Sequence, residues 1–144
     1  MQTNLSMPRA MIIPVLAYPD VHAAVKWLAD AFEFEVRLLI GDHRAQLQFG
    51  SGAIVVAKSE GEGSVLGQGH SVMVRVDRIE AHRSRAVQHG AHIVQDLADF
   101  PYGERQYTCC DLAGHRWTFS QTIANADPAD WGGTLMSNHS AYLE

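Results

Sequence analysis

A chain of 144 residues, 47% apolar and 19% charged, is long enough for one globular domain, or for two small modules that share a core. Its 11 Lys and Arg against 16 Asp and Glu leave a net charge of −5 with no basic stripe, which argues against a nucleic-acid partner. No run approaches the roughly 18–20 continuous apolar residues of a membrane span, and the N-terminus has no apolar signal core, so a cytoplasmic protein with no membrane association is expected. The two cysteines, Cys109 and Cys110, are neighbours, and a bond between them would be strained. Both are expected reduced, as the cytosol keeps them.

Residues 1–10 read as a frayed leader. Residues 11–18 are rich in large and β-branched side chains and predict a buried strand, and Asp20 suits the N-cap of the next segment. From 21 to 32, Val21, Val25, Leu28 and Phe32 recur at helical spacing, with Trp27 in the packed stripe. The helix ends at Glu33 or Phe34 without a Gly stop. Three strands follow, at 35–40, 43–49 and 53–58, joined by Gly-containing hairpin turns. Residues 59–69 hold four glycines without periodicity and read as a linker. A second leading strand is expected at 70–76, with Asp77 as the cap of a helix over 79–89 and Gly90 after it. Strands at 91–97, 104–110 and 115–121 complete the series, with a loop over 99–103 and a turn over 111–114.

The order strand, helix, three strands therefore occurs twice, and such self-similarity names an architecture. The leading strands align at an offset of 57, which pairs Ile13 with His70 and Asp20 with Asp77. The last strands align at an offset of 62, which pairs Gly52 with Gly114 and Val56 with Thr118. The predicted fold is α+β, two βαβββ modules around a shared cleft. Residues 124–144 form a polar tail, packed through Trp131 or Leu135 onto the domain or a partner subunit.

The repeated unit, together with YGERQYTCCDLAGHRWTFSQ and its D-x-x-G-H-x-W-T-F ending, resembles the vicinal oxygen chelate superfamily of glyoxalases, bleomycin-resistance proteins and extradiol dioxygenases. The resemblance covers roughly residues 11–123, with module one at 11–60, a linker at 61–69 and module two at 70–123. It looks closest to the small glyoxalase-like bacterial members. It implies sheets that curl around a cleft, often completed by a second subunit, so a homodimer is expected. In metal-dependent members a divalent ion sits there, held by His or Gln together with Glu from the leading and last strands. Carried onto this chain, those positions become Ile13, His70, Val56 and Thr118. Only His70 suits a transition ion, and one imidazole cannot assemble three or four ligands. The metal site is incomplete, and no cofactor is expected.

Several side chains remain candidates for binding an organic molecule. His70 stands at the mouth of a strand, either hydrogen-bonded in place or binding a polar substrate group. Thr118 alternates with Arg116 and Ser120, which leaves Trp117 and Phe119 for the packed face. Tyr102, with Phe100, lies in a loop and either stacks on a planar ligand or pins the loop. Arg105 and Tyr107 alternate with Glu104 and Gln106, and one of the two pairs should face inward. Cys109 and Cys110 point to opposite faces and read as packing residues without an activating partner. His82, His89 and His92 read as solvated surface, and His115 as a residue that stabilises its turn.

The leading functional expectation is a metal-free protein that binds a small molecule in a cleft lined by Ile13, Val15, Val56 and Val72, with His70, Thr118 and Arg116 as polar anchors. The alternative is a metal-dependent lyase, isomerase or dioxygenase whose ligands come from elsewhere, such as His43, Glu104 or a second subunit. A third reading is a dimeric partner module, suggested by the tail alone.

Overall fold

The structure, a computed structural model, describes residues 3–59 and 70–135. The glycine-rich linker and the end of the tail lie outside the described residues. Module one consists of β1 (Val15–Tyr18), α1 (Val21–Phe32), β2 (Glu35–Ile40), β3 (Arg44–Phe49) and β4 (Gly52–Lys58). Module two consists of β5 (Val72–Arg75), α2 (Ile79–Gln88), β6 (His92–Phe100), β7 (Glu104–Cys110) and β8 (Arg116–Thr122), and a 3₁₀ turn at Pro128–Trp131 follows. Each module forms a four-stranded mixed sheet, ordered β1-β4-β3-β2 and β5-β8-β7-β6, with the leading strand parallel to the last. This is the βαβββ duplication expected from the sequence.

Local chemistry explains most of the boundaries. Asp20 caps α1 by accepting from the Ala23 amide at 3.0 Å. The helix stops at Glu33, which takes the left-handed conformation (φ 64°) although it is not glycine. The next residue, Phe34, is buried, so the packing of its ring offsets the roughly 1–2 kcal/mol that this backbone costs. In module two Asp77 does not cap. Arg78 occupies the N-cap and makes no side-chain cap bond. The amide of Ile79 instead donates to the Gln121 side chain of β8 at 3.0 Å, a cap supplied by the sheet. The loop expected at 99–103 is shorter: Asp99 and Phe100 pair with Arg105 and Glu104, and β6 contains two register shifts.

The observed caps and pairings correct the alignment of the halves. Asp20 corresponds to Arg78, an offset of 58. Because Val15 pairs with Val55 and Met73 with Thr118, the last strands are related by 63. The counterparts of His70 and Thr118 are thus Ile12 and Val55, in place of Ile13 and Val56. A one-residue slip turns every side chain of a strand to the other face.

One core serves both modules. Phe32, at the end of α1, sets its ring edge-on to Trp117 (5.4 Å) and Phe119 (4.8 Å) of β8, and Phe34 does the same to Trp117 at 5.5 Å. All four residues are buried. Between the helices the Trp27 indole donates to the His89 carbonyl at 2.9 Å, and Arg85 Nε donates to the Asp30 carbonyl at 2.8 Å. At the opposite end the buried carboxylate of Asp111 ties the modules together. It accepts from the Tyr18 hydroxyl of β1 (2.6 Å), the Trp117 indole (3.0 Å) and the amides of Ala113 and His115 (3.0 Å each). Burial, with the Asp111 carboxylate beside it, pushes the Tyr18 phenol far above its ordinary range, so it stays a donor. His115 Nε2 donates to the Ala17 carbonyl at 2.7 Å, which leaves Nδ1 bare and buried without a partner among the described residues.

His82 is not solvated surface. It is 6% exposed, lies against Phe119 at 4.0 Å, and its Nδ1 meets the Tyr107 hydroxyl at 2.5 Å. Burial, and then the charge of Arg85, lowers its pKa to about 4.

Two outcomes follow from this core. Asp111→Ala removes the acceptor for four donors, two of them side chains buried between the modules, and is expected to cost about 3 kcal/mol in urea unfolding. The His82 pKa is lower folded than unfolded, so its contribution is complete above about pH 6.5 and is lost as pH falls toward 4. Between pH 7 and pH 5 the wild type should lose about 2 kcal/mol that a His82→Phe variant does not lose, measured as the difference between their stability–pH curves.

Candidate functional site

The two faces of the module-two sheet have opposite character. Trp117 and Phe119 point to the helices with their cross-strand partners Cys109 and Tyr107, and all four are fully buried. Arg116, Thr118 and Ser120 point to the open face, as their alternation predicts, joined there by Cys110, Thr108 and Gln106 of β7 and by Met73 and Arg75 of β5. Met73 is 64% exposed, so nothing among the described residues covers that part of the face.

A single chain of hydrogen bonds runs across this face. The carboxylate of Glu104 only accepts, so Ser120 donates to it, at 2.6 Å. The Ser120 oxygen then accepts from Gln106 Nε2 at 3.0 Å, which turns the amide oxygen of Gln106 toward the Tyr102 hydroxyl, at 3.1 Å. Every donor in the series points toward Glu104. Thr108 and Thr118 close the neighbouring rung with a 2.8 Å bond between their hydroxyls. Ser120 and Tyr102 therefore belong to one network with Gln106, which the sequence did not single out, and Glu104, expected only as an alternative metal ligand, whereas Thr118 stands on the separate rung with Thr108.

Arg105 and Tyr107 are on the other face. Tyr107 is in the core against Phe119 and His82, and burial pushes its phenol well above the usual tyrosine range. Arg105 bridges Asp99 at 2.6 Å and Glu80 of α2 at 2.5 Å. The signal was available: the turn at Asp111–Gly114 pairs Cys110 with Arg116, and counting back from it sets Tyr107 opposite Phe119. His70 stands exposed two residues before β5, its ring 5.8 Å from that of His115, and is not in the network. Cys109 is inert, because burial, with Cys110 and Asp111 adding to it, raises its thiol to about 12.

The open face of the module-one sheet is occupied by the chain itself. Arg37 Nη2 donates to the Leu5 carbonyl at 2.6 Å, Gln46 Nε2 donates to the Ser6 carbonyl at 2.9 Å, and Pro8 is buried. The described part of the leader is therefore a strap over β2 and β3 and not a frayed end. Val55 and Ala53 lie buried on this strand face, whereas Val56 points inward to the core. Of the expected cleft residues, Val15 is exposed and Ile13 half-buried, and Val72 lines a groove between the modules. That groove, about 520 Å³, has walls from Phe34, Phe49 and Ile54 of module one and from Val72 and Val74 of module two. It reaches the open sheet face along Met73 and Arg75.

The four positions that the superfamily uses for a divalent ion do not fit one in this chain. In the observed register they hold Ile12, Val55, His70 and Thr118, which is one imidazole, one neutral hydroxyl and two hydrocarbons. Among the described residues no three His, Cys, Asp or Glu side chains are grouped to hold an ion, and His43 and Glu104 do not join one. No helix among them is long and apolar enough to cross a membrane.

The family model for the Glyoxalase/Bleomycin resistance protein/Dioxygenase superfamily matches residues 10–119. No curated protein matches the chain. Among solved structures, TioX from Micromonospora sp. ML1 is 36% identical, with 78% of this chain and 98% of that one covered and a TM-score of 0.66. A superfamily enzyme from Burkholderia phytofirmans PsJN (14% identity, 79% and 99% covered, TM-score 0.68) and a lactoylglutathione lyase from Agrobacterium tumefaciens (15% identity, 79% and 94% covered, TM-score 0.58) share the fold. With its duplicated βαβββ unit, a family match over most of its length and more than a third of its aligned residues shared with TioX, the chain belongs to the Glyoxalase/Bleomycin resistance protein/Dioxygenase superfamily.

Proposed function

We propose that this chain binds a small organic molecule between its modules without a metal ion. The observation that carries the reading is the groove of about 520 Å³, lined by Phe34, Phe49 and Ile54 on one side and by Val72 and Val74 on the other, with Met73 and Arg75 at the edge of the sheet face that carries Thr118 and Arg116. An apolar slot beside a few fixed polar groups suits a ligand of drug size. Thr118 and Arg116 serve as polar anchors, and Ser120, held between Gln106 and Glu104, keeps the network rigid. A metal-dependent lyase or dioxygenase reading has less support, because the positions that would carry its donors hold Ile12, Val55 and Thr118. The proposed setting is the cytoplasm, and the proposed assembly, as the resemblance implies, a homodimer.

A ligand present at about 100 times its dissociation constant stabilises a protein by about 2.7 kcal/mol, equivalent to roughly 5–10 °C in a domain of this size. A thermal-shift screen of cationic antibiotics and aromatic metabolites is expected to yield at least one class with a shift of that order. Met73→Glu, at an exposed position on the rim of the groove, should abolish the shift and leave the melting temperature of the unliganded protein unchanged. A screen in which no class of compound stabilises the protein removes the reading. Protein purified without a His-tag is expected to carry no stoichiometric divalent ion by elemental analysis, and one ion per chain would favour the enzyme instead.

A further inference from the structure

A second cavity, about 470 Å³, lies at the start of α2 and shares Phe49, Arg75 and Asp77 with the groove between the modules. Buried polar groups are as a rule hydrogen-bonded, and one in the wall of this cavity is not. His82 lines the cavity and is 6% exposed, yet its Nε2 has no partner among the described residues. The other ring nitrogen is occupied. The Tyr107 hydroxyl has no other acceptor among the described residues, so it donates to Nδ1. The neutral ring then carries its proton on Nε2. Tyr107 belongs to β7, which β8 separates from β5, the edge strand along the cavity. A ring turned to Tyr107 by Nδ1 therefore has its Nε2 donor on the cavity side.

The start of the helix adds further donors and positive charge. Arg78, at the N-cap, makes no side-chain cap bond, and Gln121 serves only the Ile79 amide. The amides of Glu80 and Ala81 have no acceptor among the described residues, and Ala81 lines the cavity. Such amides carry the positive end of the helix dipole. Arg75, Arg78 and Arg85 line the same cavity with two carboxylates, Glu33 and Asp77. Glu33 lies 3.8 Å from Arg85, and Glu80, the next acid along the helix, is held by Arg105. Arg75 and Arg78 make no ion pair among the described residues, so the cavity is positive on balance. A buried N–H donor, an uncapped helix start and unpaired guanidinium groups around one cavity are the elements that recognise an anion.

We propose that this cavity is an anion subsite, in which His82 Nε2, the Ala81 amide and Arg78 hold a carboxylate or phosphate group of a ligand whose apolar body lies in the adjoining groove. This rests on the small-molecule reading above and names the charge of what is bound, an organic acid. Phe49, which lines both cavities, marks where the apolar body gives way to the charged group.

The test compares 2-naphthoate with 2-naphthamide, its uncharged isostere, by NMR titration of the ¹⁵N-labelled full chain at constant ionic strength. Signals of His82 Nε2 and the Ala81 amide report the subsite, and the amides of Ile54 and Val74 report the groove. Naphthoate is expected to move both sets and to bind about tenfold more tightly than the amide, which should move the groove signals alone. Arg78→Gln, at an exposed position, should weaken naphthoate about threefold and leave the amide unchanged. His82→Phe, which removes the buried donor, should weaken naphthoate about tenfold. Equal affinities for the two probes, a naphthoate complex in which His82 Nε2 and Ala81 do not shift, or unchanged naphthoate binding by a folded Arg78→Gln protein would overturn the proposal. If both probes bind the groove equally, the subsite falls and the small-molecule reading stands. If inorganic phosphate moves His82 Nε2 and Ala81 while no organic compound binds, the small-molecule reading falls and an anion site remains. If neither phosphate nor any organic compound binds, both fall.

Discussion

The arrangement of the two modules depends on one buried carboxylate. Asp111 sits in the turn between β7 and β8, yet one of its four donors is the Tyr18 hydroxyl, 93 residues away in the other module. An unpaired anion at this depth would be costly, so the four groups must arrive together or not at all. That requirement fixes where the first strand of module one meets the last turn of module two. Phe32 fixes the other end by entering the aromatic cluster of module two. Between these two points a groove is left with walls from both halves.

The same division of polar and apolar faces recurs at the level of the sheets. In each module the inward face is sealed by a helix and the other is left open, but the two open faces differ in what covers them. The leader lies on module one, where Arg37 and Gln46 hold its carbonyls, and Gln46, Val55 and Ala53 are shielded. Module two leaves Met73 and Arg116 of its face exposed, whereas Ser120 and Gln106 on the same face are buried. A duplicated fold is in this way made asymmetric, and the polar chemistry is concentrated on one half.

Membership of the superfamily explains the scaffold and leaves the chemistry open. Two of the four positions that the superfamily uses for a divalent ion hold hydrocarbon in this chain, Ile12 and Val55. What takes the place of those donors is a hydrogen-bonded rung, Thr108 with Thr118, and a directed chain that ends at Glu104.

Some of this was determined by the sequence alone. Helix α1, strands β2 and β7, the duplication, and the alternation that sets Thr118 and Ser120 opposite Trp117 and Phe119 follow from local periodicity, which depends only on neighbours along the chain. The burial of His82, the placement of Arg105 and Tyr107, the cap supplied by Gln121 and the strap over module one did not, because each is decided by a partner far away in sequence. His82 resembles a surface residue until Phe119 and Tyr107 close around it. The alignment of the halves slipped by one residue for the same reason: Asp77 has the chemistry of a cap, but the sheet supplied a better-placed acceptor, and only the paired strands reveal which side chains share a face.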